Sequence, residues 1–173
     1  VIVDYGMGNI KSIQRGLEQV GASVILSSDP VVITNASRLV LPGVGAFADC
    51  RRGLYAVDGM VEALQEVVIE KGQPFLGICV GMQLMATVGR EHGDHTGLDW
   101  IKGEIVPLAP VDPSLKVPHM GWNDLYVDEN NHPVLSGIST GDHVYFVHSY
   151  HMKTAEPAHV LATVDYSEPV TAI

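Results

Sequence analysis

Apolar positions in the first half of the chain follow two alternating periodicities. Short apolar runs bounded by Gly or Pro predict buried strands, at residues 1–4, 23–26, 38–41 and 74–78. Between them, apolar residues recur every three or four positions, which predicts helices at residues 9–20, 46–56, 60–71 and 81–88. Regular alternation of strand and helix predicts a mostly parallel central sheet that is flanked by helices.

The second half has strand-like patterning and no long helical stretch. Its β-branched and apolar runs predict strands at residues 101–106, 125–127, 144–148, 160–166 and 170–173. We find no internal repeat and no linker, so we predict a single α/β domain over residues 1–173 with a β-rich second half. An apolar, β-branched strand at residues 169–173 with nothing after it would leave an exposed, unpaired sheet edge. We therefore expect the native sequence to continue beyond Ile173.

Composition narrows the class of protein. The 173 residues are 46% hydrophobic and 17% charged, which excludes an intrinsically disordered chain. The net charge of −10 argues against binding to nucleic acid or to an anionic membrane surface. No apolar run approaches the roughly 18 residues of a membrane span, and two cysteines make no disulfide framework. We therefore predict a cytoplasmic protein.

The strongest chemical feature is a cysteine flanked by glycines at the end of a predicted strand. Gly77, Cys79 and Gly81 form the G-x-C-x-G pattern of a nucleophile elbow. The turn is tight, so the residues two before and two after the nucleophile must lack bulk. We expect the following helix to favour a thiolate and the Val80 N–H to point at a developing oxyanion. The alternative is a buried, inert cysteine, which is what we expect of Cys50.

A glycine-rich loop follows a neighbouring predicted strand. Gly43, Val44 and Gly45 could offer backbone N–H groups to the same oxyanion, although on its own such a loop is an ordinary strand-to-helix turn. Because two glycines flank Val44, we hypothesise that one peptide flip aims or withdraws a donor.

These residues resemble the class I, or triad-type, glutamine amidotransferases. In that family the elbow is followed by residues similar to Met82, Gln83 and Leu84 of this chain. Within that family the chain resembles the glutaminase subunits of imidazole glycerol phosphate synthases, through residues 4–9, 41–47, 118–123 and 145–150. The resemblance implies a flavodoxin-like core and hydrolysis of L-glutamine through a thioester on Cys79. It implies no metal and no organic cofactor.

The resemblance also assigns residues around Cys79. The N–H of Val80 and one from Gly43, Val44 or Gly45 would form the oxyanion hole. Gln83 and Glu91 would hold the amino-acid end of glutamine; a carboxylate at Glu91 suits an ammonium on chemical grounds, and a solvated glutamate fits the sequence equally well. The substrate carboxylate would lie against the backbone of His148, Ser149 and Tyr150.

A protein partner is implied as well. In this family a (β/α)8-barrel cyclase subunit receives the ammonia through a channel and uses it in histidine biosynthesis. Its interface would contain Asn9 and a loop formed by Pro118, His119, Met120, Gly121, Trp122 and Asn123. Trp122 is either an anchor of that interface or a core residue.

One element of the family pattern is missing. The nucleophile of the family is served by a His-x-Glu pair near the C-terminus, and none of the 8 histidines is followed two positions later by Glu. A cysteine without an imidazole is a weak catalyst, so we expect the pair to lie beyond Ile173. Two alternatives stay open: another amidotransferase or hydrolase with an elbow cysteine, and a non-catalytic subunit that binds a partner.

Overall fold

The predicted elbow lies at the end of a parallel sheet. A computed structural model describes residues 1–128 and 132–173. Its first sheet contains β1 (Ile2–Val3), β2 (Leu26–Ser27), β3 (Leu39–Gly43) and β4 (Phe75–Cys79). The strands are parallel in the order β2-β1-β3-β4. Gly43 and Cys79 are register partners, so the glycine-rich loop and the elbow leave the sheet side by side.

Five α-helices lie between strands in the described part of the chain, and two short 3-10 helices, Pro133–Leu135 and Pro157–His159, occur in the second half. The α-helices are α1 (Ile10–Gln19), α2 (Pro30–Thr34), α3 (Phe47–Ala56), α4 (Met60–Gln65) and α5 (Val80–Gln83). A π-helical turn over Glu66–Glu70 extends α4. The main core packs α3 and α4 against the first sheet, with Phe47, Leu54, Leu64 and Leu41 fully buried. No helix among the described residues combines the length and apolar character needed to cross a membrane.

The second half forms two further four-stranded sheets among the described residues. Its strands are β5 (Ala86–Gly89), β6 (His95–Thr96), β7 (Ile101–Pro107), β8 (His119–Val127), β9 (His143–His148), β10 (Tyr150–Thr154), β11 (Ala162–Asp165) and β12 (Pro169–Thr171). One sheet has the order β10-β7-β5-β6 and the other β12-β11-β8-β9. The α/β fold with a parallel sheet and a β-rich second half is thereby confirmed.

Two predicted elements depart most clearly from the structure, and the strand predicted at residues 23–26 is shifted to Leu26–Ser27. The helix expected at residues 81–88 is a single turn, because Thr87 and Val88 are β-branched and continue into β5, where Val88 pairs with Thr96 and Glu104. The segment 118–123, expected to be a loop, lies largely in β8, where His119 to Asp124 pair with β9. Its alternating buried and exposed residues fit a strand with one covered face.

Candidate active site

Cys79 occupies a sharp turn between β4 and α5. Its backbone has φ 55 and ψ −118, a region that residues other than glycine rarely adopt and that costs conformational strain. A Cβ atom on Gly77 would lie 2.6 Å from Met82 Cα, and one on Gly81 would lie 1.9 Å from Leu41 O. Both glycines are therefore sterically required, and the turn leaves Cys79 exposed.

The glycine-rich loop packs directly against this elbow. A Cβ atom on Gly43 would lie 2.6 Å from the Gly81 nitrogen and 2.9 Å from the Val80 carbonyl carbon. Gly45 has φ +89, in the left-handed region that favours glycine. The candidate oxyanion donors of Gly43, Val44, Gly45 and Val80 are therefore neighbours in space.

An open cavity of about 410 Å³ joins these backbone segments to the predicted substrate residues. This volume falls in the range of small-molecule sites. Cys79, Val80, Val44 and Gly45 line one part of it, and Gln83 and Glu91 line another. The remaining wall includes Pro118, Val147, His148, Ser149 and Tyr150. Residues from all three sheets and their connections thus meet around one thiol.

Glu91 has a structural partner at the cavity wall. Its Oε2 accepts a hydrogen bond of 2.7 Å from the Phe47 N–H. This N–H belongs to the first turn of α3, whose N-cap residue, Ala46, makes no side-chain cap. A carboxylate there satisfies an orphan helix donor and the positive helix end. Glu91 is half-buried, so its side chain is only partly solvated and is held at the cavity wall by this hydrogen bond.

A second cavity, of about 460 Å³, also has Cys79 in its wall. Its wall includes Leu76, Met82, His151 and Ile173. His151 is 4% exposed, and within the described part of the chain neither of its ring nitrogens has a hydrogen-bond partner. Burial and then Lys153 lower the pKa of His151, against a smaller opposite effect of Glu168.

His148 is held by its neighbours rather than by Cys79. Its Nδ1 lies 3.0 Å from Tyr150 O, which can only accept, so Nδ1 carries the proton. Its Nε2 then accepts from His119 Nδ1, also at 3.0 Å. Both ring nitrogens are engaged. Among the described residues no histidine forms a hydrogen bond with Cys79, and no cluster of three or more His, Cys, Asp or Glu is placed to hold a metal.

His119 does not reach the surface that was predicted to face a partner. It is 3% exposed and stacks on Tyr166 and Phe146, with ring centroids 4.0 and 4.8 Å away. Burial and then His148 lower its pKa. Asn123 donates to Asp165 O at 3.0 Å. His119 therefore supports the strand from within, a correction to its expected place in the interface.

The other face of the same strands is apolar and exposed. We call Met120, Trp122, Tyr145 and Val147 the β8–β9 face. Trp122 is 72% exposed and Tyr145 is 53% exposed. The two residues are register partners, and their rings contact edge to face with centroids 5.6 Å apart. The alternative that Trp122 is a core residue is wrong. Asn9, Pro118 and Gly121, also predicted to face a partner, are at least partly accessible.

Sequence reasoning missed two buried donors behind the glycine-rich loop. Tyr5 Oη donates to Pro42 O at 2.5 Å, and Cys50 Sγ donates to Val44 O at 3.2 Å. Cys50 was expected only to fill the core. Tyr5 lies in one of the recognised stretches, residues 4–9, yet nothing in the sequence indicates which atoms its hydroxyl meets.

The sequence of this chain is similar to those of known proteins. The profile of a family described as "Glutamine amidotransferase class-I" matches residues 1–173. A Rhodospirillum rubrum protein named "Imidazole glycerol phosphate synthase subunit HisH" is 52% identical over 99% of this chain and 83% of its own length. A protein of the same name from Cereibacter sphaeroides is 54% identical over 100% and 84%.

A solved structure is also similar. Described as "Crystal structure of glutamine amidotransferase", it superposes with a TM-score of 0.71 over 94% of this chain and 79% of its own, at 16% identity. At that identity the likeness concerns the fold alone.

Proposed function

The chain belongs to the class I glutamine amidotransferase family, and from that premise we propose that it is the glutaminase subunit of an imidazole glycerol phosphate synthase. The observation that carries the proposal is the cavity of about 410 Å³, where a strained, exposed cysteine meets two sets of backbone donors and a carboxylate. Such a site fits a small amino acid with a carboxamide at one end.

Glutamine would bind with its carboxamide at Cys79. The Glu91 carboxylate, which has one oxygen on Phe47 N–H, would attract the α-ammonium of the substrate through its remaining acceptor capacity. Gln83 lines the same wall and would contact the same end of the substrate. The α-carboxylate would lie against the backbone of residues 148–150.

The chemical step would be attack of the Cys79 thiolate on the carboxamide carbon. The carbonyl oxygen becomes an oxyanion, which the Val80 N–H and one N–H of residues 43–45 would stabilise. The carbon–nitrogen bond then breaks, the nitrogen takes up a proton and leaves as ammonia, and a γ-glutamyl thioester remains on sulfur. Water hydrolyses the thioester to glutamate and restores the thiol.

A histidine must carry the proton from the thiol to the leaving nitrogen. In the family this histidine belongs to a His-x-Glu pair, and none of the 8 histidines of these 173 residues is followed two positions later by Glu. Both ring nitrogens of His148 are engaged by Tyr150 O and His119, so we do not assign this role to His148.

The partner would be a cyclase subunit with a (β/α)8 barrel. Contiguous exposed apolar groups mark interaction sites, and the β8–β9 face with its two aromatic rings suits docking of such a subunit. We propose that ammonia passes from Cys79 into that partner for histidine biosynthesis. Both cysteines are free, which agrees with a cytoplasmic location.

Steady-state hydrolysis of glutamine by the full-length protein with its cyclase partner tests the proposal. We expect stoichiometric glutamate and ammonia, and a loss of at least about 10³-fold in Cys79→Ala. Val111→Ala, at an exposed position, serves as the control and should keep full activity. Retention of activity in folded Cys79→Ala would overturn the proposal, and turnover of esters without turnover of glutamine would favour a hydrolase.

A further inference from the structure

Two buried side chains hold the glycine-rich loop from its core side. Tyr5 Oη donates to Pro42 O at 2.5 Å, and Cys50 Sγ donates to Val44 O at 3.2 Å. Tyr5 follows β1, and Cys50 lies in α3; both belong to the main core cluster. Burial raises the pKa of both groups, so each remains a protonated donor near neutral pH.

These two hydrogen bonds fix two separate peptide planes. A carbonyl and the N–H of the next residue share one rigid plane. Holding Pro42 O therefore fixes the N–H of Gly43, and holding Val44 O fixes the N–H of Gly45. The peptide between them carries the Gly43 carbonyl and the N–H of Val44, and the parallel pairing of Gly43 with Cys79 holds it beside β4. Among the described residues no side chain forms a hydrogen bond to either end of that peptide.

The elbow limits the loop from the opposite side. A Cβ atom on Gly43 would lie 2.6 Å from the Gly81 nitrogen, so the loop cannot move toward α5. A Cβ atom on Gly8 would lie 2.9 Å from Pro42 Cβ, so the segment after β1 also packs closely on the loop. The 42–45 segment is therefore held between the elbow and the core.

We propose, on the basis of the proposed glutaminase function, that Tyr5 and Cys50 are positioning residues for the oxyanion hole. They hold the Pro42–Gly43 and Val44–Gly45 peptides from the core side, and thereby limit the orientations that the N–H groups of residues 43–45 can adopt. Oxyanion donors act on charge that develops in the transition state, so loosening them lowers kcat and leaves KM nearly unchanged.

Two reactions of the same thiol separate this role from a general structural one. Hydrolysis of glutamine passes through an oxyanion, whereas alkylation of Cys79 by iodoacetamide displaces iodide at a saturated carbon and forms none. Damage to the elbow or to the thiol would slow both reactions. Loss of the tethers slows only hydrolysis.

The test uses Tyr5→Phe and Cys50→Val in the full-length protein with its partner subunit. Each removes a donor while keeping an apolar side chain of similar size. We expect kcat for glutamine to fall about tenfold in each variant, with KM and the rate of Cys79 alkylation within about twofold of wild type. Amide exchange of residues 43–45 should become faster.

Two further variants serve as controls. Cys50→Ser keeps a donor at the position and should restore most of the lost kcat. Tyr55→Phe removes a hydroxyl from an exposed tyrosine on α3 and should leave kcat and amide exchange unchanged.

Wild-type kcat and exchange in folded Tyr5→Phe would overturn the proposal, and so would a parallel fall of alkylation and hydrolysis. Higher kcat in the variants would overturn it too, because the tethers would then hold an inactive orientation. Failure of the wild-type complex to hydrolyse glutamine would instead contradict the proposed function. In that case unchanged amide exchange of residues 43–45 in Tyr5→Phe would still contradict the positioning role of Tyr5, and faster exchange would support it.

Discussion

At the scale of single residues, the site depends on glycines at positions where no side chain would fit. Gly43, Gly77 and Gly81 each lie where a Cβ atom would fall within 2.6 Å of backbone. Real Cβ atoms do not approach so closely, so each glycine sets how near one segment comes to the next. These contacts bring Val80 and the 43–45 segment together beside Cys79.

Replacement of Gly43 by Ala should therefore impair chemistry rather than assembly. The added methyl would push the loop away from Gly81 N and Val80 C. We predict that partner-stimulated hydrolysis of glutamine falls by about 10²-fold or more, while the dissociation constant for the partner is unchanged. Gly16→Ala in α1, where a Cβ atom meets nothing within 4 Å, is the matched control.

Weaker binding of the partner by Gly43→Ala would contradict this prediction. The loop would then belong to the interface rather than to the oxyanion hole.

The sequence predicted Cys79 but not its supporting residues, for a physical reason. The elbow pattern is local, with both glycines two positions from the cysteine. Tyr5 meets a carbonyl 37 positions away, and that contact arises only when β1 and β3 pair. Cys50 lies six positions from Val44, and the loop conformation alone brings them together. Glu91 likewise reaches Phe47 across 44 positions.

At the scale of elements, strand β8 contains His119 and also contributes Met120 and Trp122 to the β8–β9 face. Residues of β8 alternate between the interior, where His119 stacks on Tyr166, and solvent, where Trp122 meets Tyr145. The exposed rings lie on a paired, rigid β-ribbon, which is a suitable base for an interface anchor.

Truncation of Trp122 should weaken the complex. We predict that Trp122→Ala raises the dissociation constant for the cyclase partner by roughly 30-fold, as loss of an aromatic anchor typically costs about 2 kcal/mol. Tyr55→Ala, another exposed aromatic residue, is the control. Titration calorimetry gives both constants. Equal affinities for Trp122→Ala and wild type would place the interface elsewhere on the molecule.

Helices and strands could be predicted where the spacing of apolar residues alone determines the secondary structure. The helix at residues 9–20 and the buried strand at 74–78 agree with α1 and β4 to within one residue or so. The short helix α2 was missed although Asp29 caps it and Pro30 begins it, a known start pattern. The helix after Cys79 was overextended because pairing with β6 and β7 outweighed apolar spacing at residues 86–89.

At the scale of the whole molecule, the site is a junction. The nucleophile and the oxyanion loop come from the first sheet, Glu91 follows β5, and residues 148–150 join β9 to β10. No single element contains the site, so its geometry depends on how the sheets pack. This is why the sequence could name the participating residues through a resemblance and could not supply their contacts.

Buried histidines should make stability depend on pH. Burial lowers the pKa of His119 and of His151 below the ordinary value of about 6.5. As the pH falls through that value, the unfolded chain takes up protons that the folded chain does not, so the free energy of unfolding falls. We predict lower urea midpoints at pH 5.5 than at pH 7.5, with a smaller difference in His151→Phe.

His159→Phe is the control for this prediction, because His159 is exposed and lies beside Glu156. An undiminished pH dependence in His151→Phe would show that His151 is as easily protonated in the folded protein as in the unfolded chain.

The most direct test of the central claim is to trap the intermediate on Cys79. The full-length complex is mixed with L-glutamine, quenched in acid within one turnover, digested and weighed by mass spectrometry. We predict one γ-glutamyl group on the peptide that contains Cys79 and none on the peptide that contains Cys50. Release of glutamate and ammonia from a complex whose Cys79 peptide never carries that group would contradict the claim.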